Sequence, residues 1–175
     1  VDRAVNGVIA DTLRRKGLPP MRHFIMDPAQ LALVSVSPVL MSRGKPWDER
    51  FQYTGYLRWQ AERDEELERR LEAFTSGKRV PVITFGSVSF DHLQEIMSRF
   101  ELEWPEGRRI ILQSGWAGLS VEMSRDDILV VGSVSHDQLF RYASCVVHHG
   151  GAGTTASVLH AGVPHIVVPH LGDQM

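Results

Sequence analysis

The stretch Val146-Val-His-His-Gly-Gly-Ala-Gly-Thr-Thr155 is where residue types and spacing in this 175-residue sequence could do chemistry. A β-branched run ends near His148. Glycines at 150, 151 and 153 let the backbone turn tightly and approach a ligand, and Thr154 or Thr155 opens a helix whose first N–H groups point back at the turn. Such a turn is an anion cradle: pyrophosphate oxygens can reach backbone donors, and a nearby imidazole can add a hydrogen bond or a positive charge. The same spacing also suits a tight strand-to-helix connection that binds nothing, and a short glycine motif leaves both readings open.

Other reactive residues carry less. Histidines at 148, 149, 160, 165 and 170 invite a metal reading. Adjacent His148 and His149 would point to opposite faces of a strand, and no cysteine or carboxylate completes a metal-ligand spacing, so the cluster reads as structural or surface histidines and no metal is expected. Trp116, in Ser114-Gly-Trp-Ala-Gly118, could line a cleft at a strand end or anchor a core. Trp47, Trp59 and Trp104 read as packing residues. No G-x-S-x-G elbow supports a Ser-His-Asp hydrolase. Cys145 is the sole cysteine, in an apolar stretch, and reads as a small buried hydrophobe in a reducing compartment. A formal charge of −2 gives no basic excess for a phosphate backbone, which argues against nucleic acid. No apolar run approaches the roughly 20 residues of a membrane span, and the sequence reads as a soluble, cytoplasmic globular protein.

Elements must position the turn. Residues 1–16 carry helical spacing that stops at Gly17, Pro19 and Pro20, and a helix at the first residue suggests a cut. Leu31 to Ser37 reads as a strand, followed by an aperiodic linker through Pro38, Gly44 and Pro46. Gln60 to Phe74 reads as an amphipathic helix with Leu67, Leu71 and Phe74 on one face and Glu65/Arg69 and Glu66/Arg70 at i,i+4. From residue 79 short β-branched runs alternate with helical stretches: Val80 to Phe85, Asp91 to Phe100, Arg109 to Gln113, Ile128 to Val131, His136 to Tyr142, Cys145 to His148, Thr154 to His160, and His165 to Val168. That alternation predicts an α/β fold with a parallel sheet covered by helices, and ligands at the carboxyl ends of its strands.

Residues 148–174, HHGGAGTTASVLHAGVPHIVVPHLGDQ, closely resemble the donor-binding signature of GT-B glycosyltransferases, especially sterol glucosyltransferases and glycopeptide-antibiotic glycosyltransferases. Thr84-Phe-Gly-Ser-Val88 is similar to the glycine-serine loop after the first strand of that domain. Val131 to Phe140 resembles the loop that holds the base, and LVSVSP and YTGYLRW in residues 31–60 resemble the end of the acceptor domain and the linker. The resemblance implies the Rossmann-like C-terminal domain of a GT-B fold, truncated: residues 1–45 a remnant of the acceptor-binding domain, 46–78 a linker with its helix, and 79–175 an incomplete donor-binding domain.

It further implies that His148 and the turn formed by Gly150, Gly151, Ala152, Gly153 and Thr154 hold the donor pyrophosphate. Ser87 would touch the same phosphates, the backbone at Val134 would take the nucleobase edge, and Asp173 and Gln174 would bind the sugar hydroxyls. Ala156 stands where plant secondary-product enzymes have a ribose-binding glutamate, which leaves UDP and dTDP both open. The implied reaction is inverting transfer of a hexose from UDP- or dTDP-sugar to a hydroxyl of a lipophilic acceptor such as a sterol or natural product. In it His148 would stabilise the leaving pyrophosphate, and the general base would lie in an acceptor domain outside this sequence. The nucleotide-sugar is a substrate; no cofactor or metal is implied. A full-length enzyme of this type allows peripheral membrane contact. The alternatives are a non-catalytic donor-binding subunit of a split glycosyltransferase, or another GT-B enzyme of cell-wall glycolipid synthesis or nucleotide-sugar epimerisation; HHGGAGTT and the Asp-Gln pair argue against the latter two.

Overall fold

The computed structural model describes residues 10, 12–18, 31–40, 49–59, 61–84, 93–114 and 125–169. They fall into two compact units that divide between Leu57 and Arg58. In the first unit residues 12–15 are helical, within the helix expected over 1–16. Two short strands, β1 (Ala32–Val34) and β2 (Phe51–Tyr53), pair in parallel with Ala32 opposite Phe51.

The second unit is a five-stranded parallel sheet with helices. In chain order it runs α1 (Glu65–Thr75), β3 (Val80–Thr84), α2 (Leu93–Glu103), β4 (Ile110–Gln113), β5 (Ile128–Val131), α3 (His136–Leu139) with a 3₁₀ turn (Phe140–Tyr142), β6 (Ala143–His148), α4 (Ala152–Ala161) and β7 (His165–Val167). The strand order is β5-β4-β3-β6-β7. The chain builds outward from β3 through β4 and β5, then crosses to β3's other side for β6 and β7. Reversal between β3 and β6 is a topological switch point, where open α/β sheets bind ligands beyond the strand carboxyl ends.

A period of two sorts the strand side chains between two cores. Val80 and Val82 of β3, Ile111 of β4 and Val131 of β5 join Leu67, Leu71, Leu139, Phe140, Val146 and Val158 on one face. Ile110, Leu112 and Ile128 pack on the other with Ile83, Val130, Phe100 and Trp104. The near-continuous apolar strands follow from burial on both faces of a parallel sheet.

Sequence and structure differ most at α1. The helix predicted over 60–74 starts at Glu65 because Asp64 caps it, its Oδ1 accepting the amides of Glu66 (3.1 Å) and Leu67 (3.0 Å). It packs into the sheet unit through Leu67 and Leu71, both core residues. Gln138 of α3 locks the cap in place: its Oε1 accepts the Asp64 amide at 3.1 Å and its Nε2 donates to the Asp64 carbonyl at 3.2 Å. The anticipated i,i+4 ion pairing at Glu65 gives way to a backbone contact, Arg69 Nε donating to the Glu65 carbonyl. The charge that matters on α1 is instead Glu68, buried and paired with Arg63, with Arg141 at 3.9 Å. Arg63 holds the Glu68 carboxyl below its ordinary pKa, against the opposing effect of burial. The helix expected over 154–160 begins two residues earlier, because Gly151 serves as its cap.

Among the described residues no helix is long and apolar enough to cross a membrane. Removing the α1 cap gives the first test. Asp64→Ala should destabilise the protein by about 1 kcal/mol and Asp64→Asn by less, as read from urea unfolding midpoints at constant m. Equal midpoints for Asp64→Ala and wild type would contradict the cap's contribution.

Candidate functional site

Parallel pairing brings the last residues of the five strands into one row: Val131 beside Gln113, Gln113 beside Thr84, Thr84 beside His148, and His148 beside Val167. Three neighbours in that row, Gln113, Thr84 and His148, are polar and buried, and Ser114, His149 and Thr154 are buried next to them in sequence or on α4. An apolar core therefore ends in a polar edge at the switch point. Buried polar groups need partners, and their partners define the site.

Gln113 organises the loop after β5. Its Nε2 donates to the Val134 carbonyl at 2.9 Å, and its Oε1 lies 3.1 Å from His136 Nε2. The bond from Gln113 Nε2 to Val134 orients the side-chain amide, and its oxygen can only accept, which places a proton on His136 Nε2. The His136 ring stacks on Phe140 with centroids 4.7 Å apart. Burial lowers its pKa, with His149 acting in the same direction and Asp137 against it. The Val134 carbonyl thus already accepts one internal hydrogen bond, leaving its second lone pair for any base edge.

His148 is wholly buried at the end of β6. Its Nδ1 accepts the Gly150 amide at 3.1 Å, and its Nε2 lies 2.8 Å from Nδ1 of His165 on β7. Burial, and then the neighbouring His165, His149 and His136, lower its pKa to about 4. The ring is therefore neutral at physiological pH, and both nitrogens are engaged inside the protein. Within the protein His148 therefore bears on the turn through Gly150.

Gly150 has φ +93°, in the left-handed region that glycine adopts without strain. Its carbonyl accepts Thr155 Oγ1 at 3.3 Å. Gly151 caps α4 with no side-chain capping bond, and its carbonyl accepts the first helical amide, that of Thr155, at 2.9 Å. The amides of Ala152, Gly153 and Thr154 precede that bond and so have no partner within the helix. A Cβ on Gly151 would come within 2.3 Å of His149 Nε2, so the buried His149 ring enforces glycine there. At Gly153 a Cβ would meet nothing within 4 Å. The fold itself has room for alanine at 153.

Of the residues singled out from sequence, Val134, His148, Gly150, Gly151, Ala152, Gly153 and Thr154 lie on this edge. Ser87, Trp116, Asp173 and Gln174 lie outside the described residues. Ala156 is buried in α4. Sequence reasoning passed over Gln113 and His136 and took His165 for a structural or surface histidine; a polar residue closing the run Ile-Ile-Leu-Gln113 was the available signal for the first. Among the described residues no group of three or more His, Cys, Asp or Glu could hold a metal ion.

Residues 110–175 match the family model of the EryCIII-like C-terminal domain, named for an erythromycin biosynthesis protein. Glycosyltransferase GtfE of Amycolatopsis orientalis is 36% identical over 163 residues, covering 90% of this chain and 38% of the relative. The chain belongs to the GT-B glycosyltransferases. Sterol 3-beta-glucosyltransferase UGT80A2 of Arabidopsis thaliana is also 36% identical, over 145 residues, with 79% of this chain and 22% of that relative covered. The glycotransferase of kitacinnamycin superposes with TM-score 0.61 at 24% identity, over 83% of this chain and 38% of that one. The calicheamicin glycosyltransferase CalG4 gives TM-score 0.61 at 18% identity, over 98% and 43%. At those identities the structural matches speak to the fold, that of a GT-B C-terminal domain. The chain spans less than two fifths of the length of the GtfE relative.

The His148 hydrogen bonds predict a pH dependence with a definite sign. Its native pKa of about 4 lies below the ordinary value of 6.5. Between those values the unfolded chain binds more protons, so this stabilisation is full above about pH 6.5 and is lost as pH falls toward 4. His148→Asn keeps an acceptor for Gly150 and removes the titration. Its unfolding free energy should fall less steeply than wild type over that window in denaturant titrations at stepped pH. Parallel curves would refute the assignment.

Proposed function

We propose that this chain binds the nucleotide-sugar donor of a glycosyltransferase, holding UDP- or dTDP-hexose by its pyrophosphate for inverting transfer to a hydroxyl of a lipophilic acceptor such as a sterol or natural product. The observation that carries this reading is the amide triplet of Ala152, Gly153 and Thr154 at the start of α4, which has no hydrogen-bond partner among the described residues and is reached through a glycine turn at the switch point. Helix N-termini carry roughly half a positive charge and present N–H groups to an anion. The relatives' names, a sterol glucosyltransferase and a dTDP-epi-vancosaminyltransferase among them, support the reaction class, and the second of them names dTDP.

Chemically, the site acts on the leaving group. Charge grows on the departing phosphate as the glycosidic bond breaks, and fixed amide dipoles stabilise that charge more in the transition state than in the ground state, with no reorganisation. His148 contributes by fixing Gly150. The loop held by Gln113 and His136 offers Val134 to the nucleobase, while Ser87 adds a phosphate contact and Asp173 and Gln174 take the sugar hydroxyls. No divalent metal is needed in this scheme, and the general base comes from an acceptor-binding domain.

Gly153 separates fold from function. Glycine in a helix interior costs about 0.5–1 kcal/mol relative to alanine, and part of that cost applies at Gly153, the second residue of α4. A methyl at 153 tilts toward the helix N-terminus, into the path of an approaching phosphate. Calorimetric titration with UDP, dTDP, GDP and ADP without added metal should show binding of UDP or dTDP. Gly153→Ala should raise the melting temperature and weaken that binding roughly tenfold or more. Binding of none of the four by folded protein would sink the donor-site reading, as would a Gly153→Ala variant with unchanged affinity.

A further inference from the structure

The two histidine rings at the β6–β7 edge are nearly coplanar, 5° apart, with centroids 5.1 Å apart and nitrogens 2.8 Å apart. That separation is what one in-plane hydrogen bond plus two ring radii spans, so the rings lie edge to edge, with the bond directed along the lone pair. The strand register allows it: Val146 pairs with His165 and His148 with Val167, so the two histidines share a face and meet on the diagonal.

The proton positions follow in sequence. The Gly150 amide can only donate, so His148 Nδ1 must present a lone pair. A neutral His148 then carries its proton on Nε2, which makes His165 Nδ1 the acceptor and leaves the His165 proton on Nε2. Without an acceptor on β7, the buried Nε2–H of His148 would have no partner. Moving that proton to Nδ1 would satisfy nothing, because Nδ1–H would face the Gly150 N–H.

We propose that His165 is a positioning residue for the donor site. It fixes His148 in the Nε2–H tautomer, and His148 in turn holds the Gly150 amide, the left-handed turn and the open amides of α4 in the arrangement that receives pyrophosphate. The nucleotide half of this inference rests on the donor-site reading above; the tautomer half does not.

The experiment combines imidazole nitrogen NMR with UDP titration on the same samples. Wild-type protein should show His148 protonated on Nε2 alone. His165→Leu should mix the His148 tautomers or shift them to Nδ1–H, and weaken UDP binding roughly tenfold, the scale of one buried donor left unsatisfied. His165→Asn places an amide oxygen near the lost Nδ1 and should restore both the tautomer and the affinity, which a merely space-filling role for the ring would not do. A wild-type His148 found as the Nδ1–H tautomer overturns the proposal without any variant. So does a His165→Leu variant with unchanged tautomer and affinity, or an Asn variant no better than Leu. If wild type binds no nucleotide, the donor-site reading fails together with the nucleotide half, while the resonances still decide whether His165 sets the tautomer.

Discussion

His148 is buried at the end of a central strand, and both of its ring nitrogens must find partners there. One partner is the amide of Gly150, two residues ahead, and that bond obliges the chain to double back at once. Glycine absorbs the required φ of +93°. The turn delivers Gly151 to the cap position of α4, where the lack of a capping side chain leaves the first amides open. A side-chain cap of the kind Asp64 provides for α1 would have stabilised α4 by about 1 kcal/mol and closed the same donors. The two helices of one unit thus begin differently: α1 is capped by a side chain, and α4 by a glycine with no side-chain capping bond.

The parallel sheet is what turns this local arrangement into a site. All five strands end on one edge, so polar residues at strand ends become neighbours although they are far apart in sequence. Thr84, Gln113 and His148 come together because β3 lies between β4 and β6. Gln113 then reaches across to the Val134 carbonyl, and His136 reaches back to Gln113, which ties the loop after β5 to the same edge. The switch point between β3 and β6 is therefore flanked by a glycine turn on one strand and a braced loop on the other side of the sheet.

Local features were legible in the sequence, and long-range pairings were not. The strands of the sheet unit could be placed from β-branched runs, and the turn at 148–154 from glycine spacing, because both are set by residues a few positions apart. The start of α4 was misplaced by two residues, since a glycine cap gives a weaker signal than Ser or Asp. Membership of α1 could not be read at all. An amphipathic face says that a helix packs, and only contacts such as Asp64 with Gln138, 74 residues away, say against what. The His148–His165 bond spans 17 residues and depends on the register of two strands, which periodicity leaves undetermined. Three of the residues that the family resemblance assigns to the donor, Ser87, Asp173 and Gln174, fall outside the described segments, as does Trp116, so the edge described above is only part of the proposed site.

The electrostatics of that edge follow from a conflict between charge and turn. A protonated His148 would donate from both nitrogens, and its Nδ1–H would confront the Gly150 N–H that now bonds to it. An imidazolium here would attract a phosphate only by dismantling the turn that presents the helix amides. The lowering of its pKa, caused by burial and by three neighbouring histidines, keeps the ring on the side of the turn at neutral pH. In the proposed donor site, affinity for an anion then comes from dipoles fixed in the backbone. Dipoles of that kind need no proton and keep the same strength before and after the bond to a leaving phosphate breaks, whereas the phosphate's own charge grows. In the proposed reaction it is the ligand that changes, against a constant field, and differential stabilisation of the later state would follow from that asymmetry.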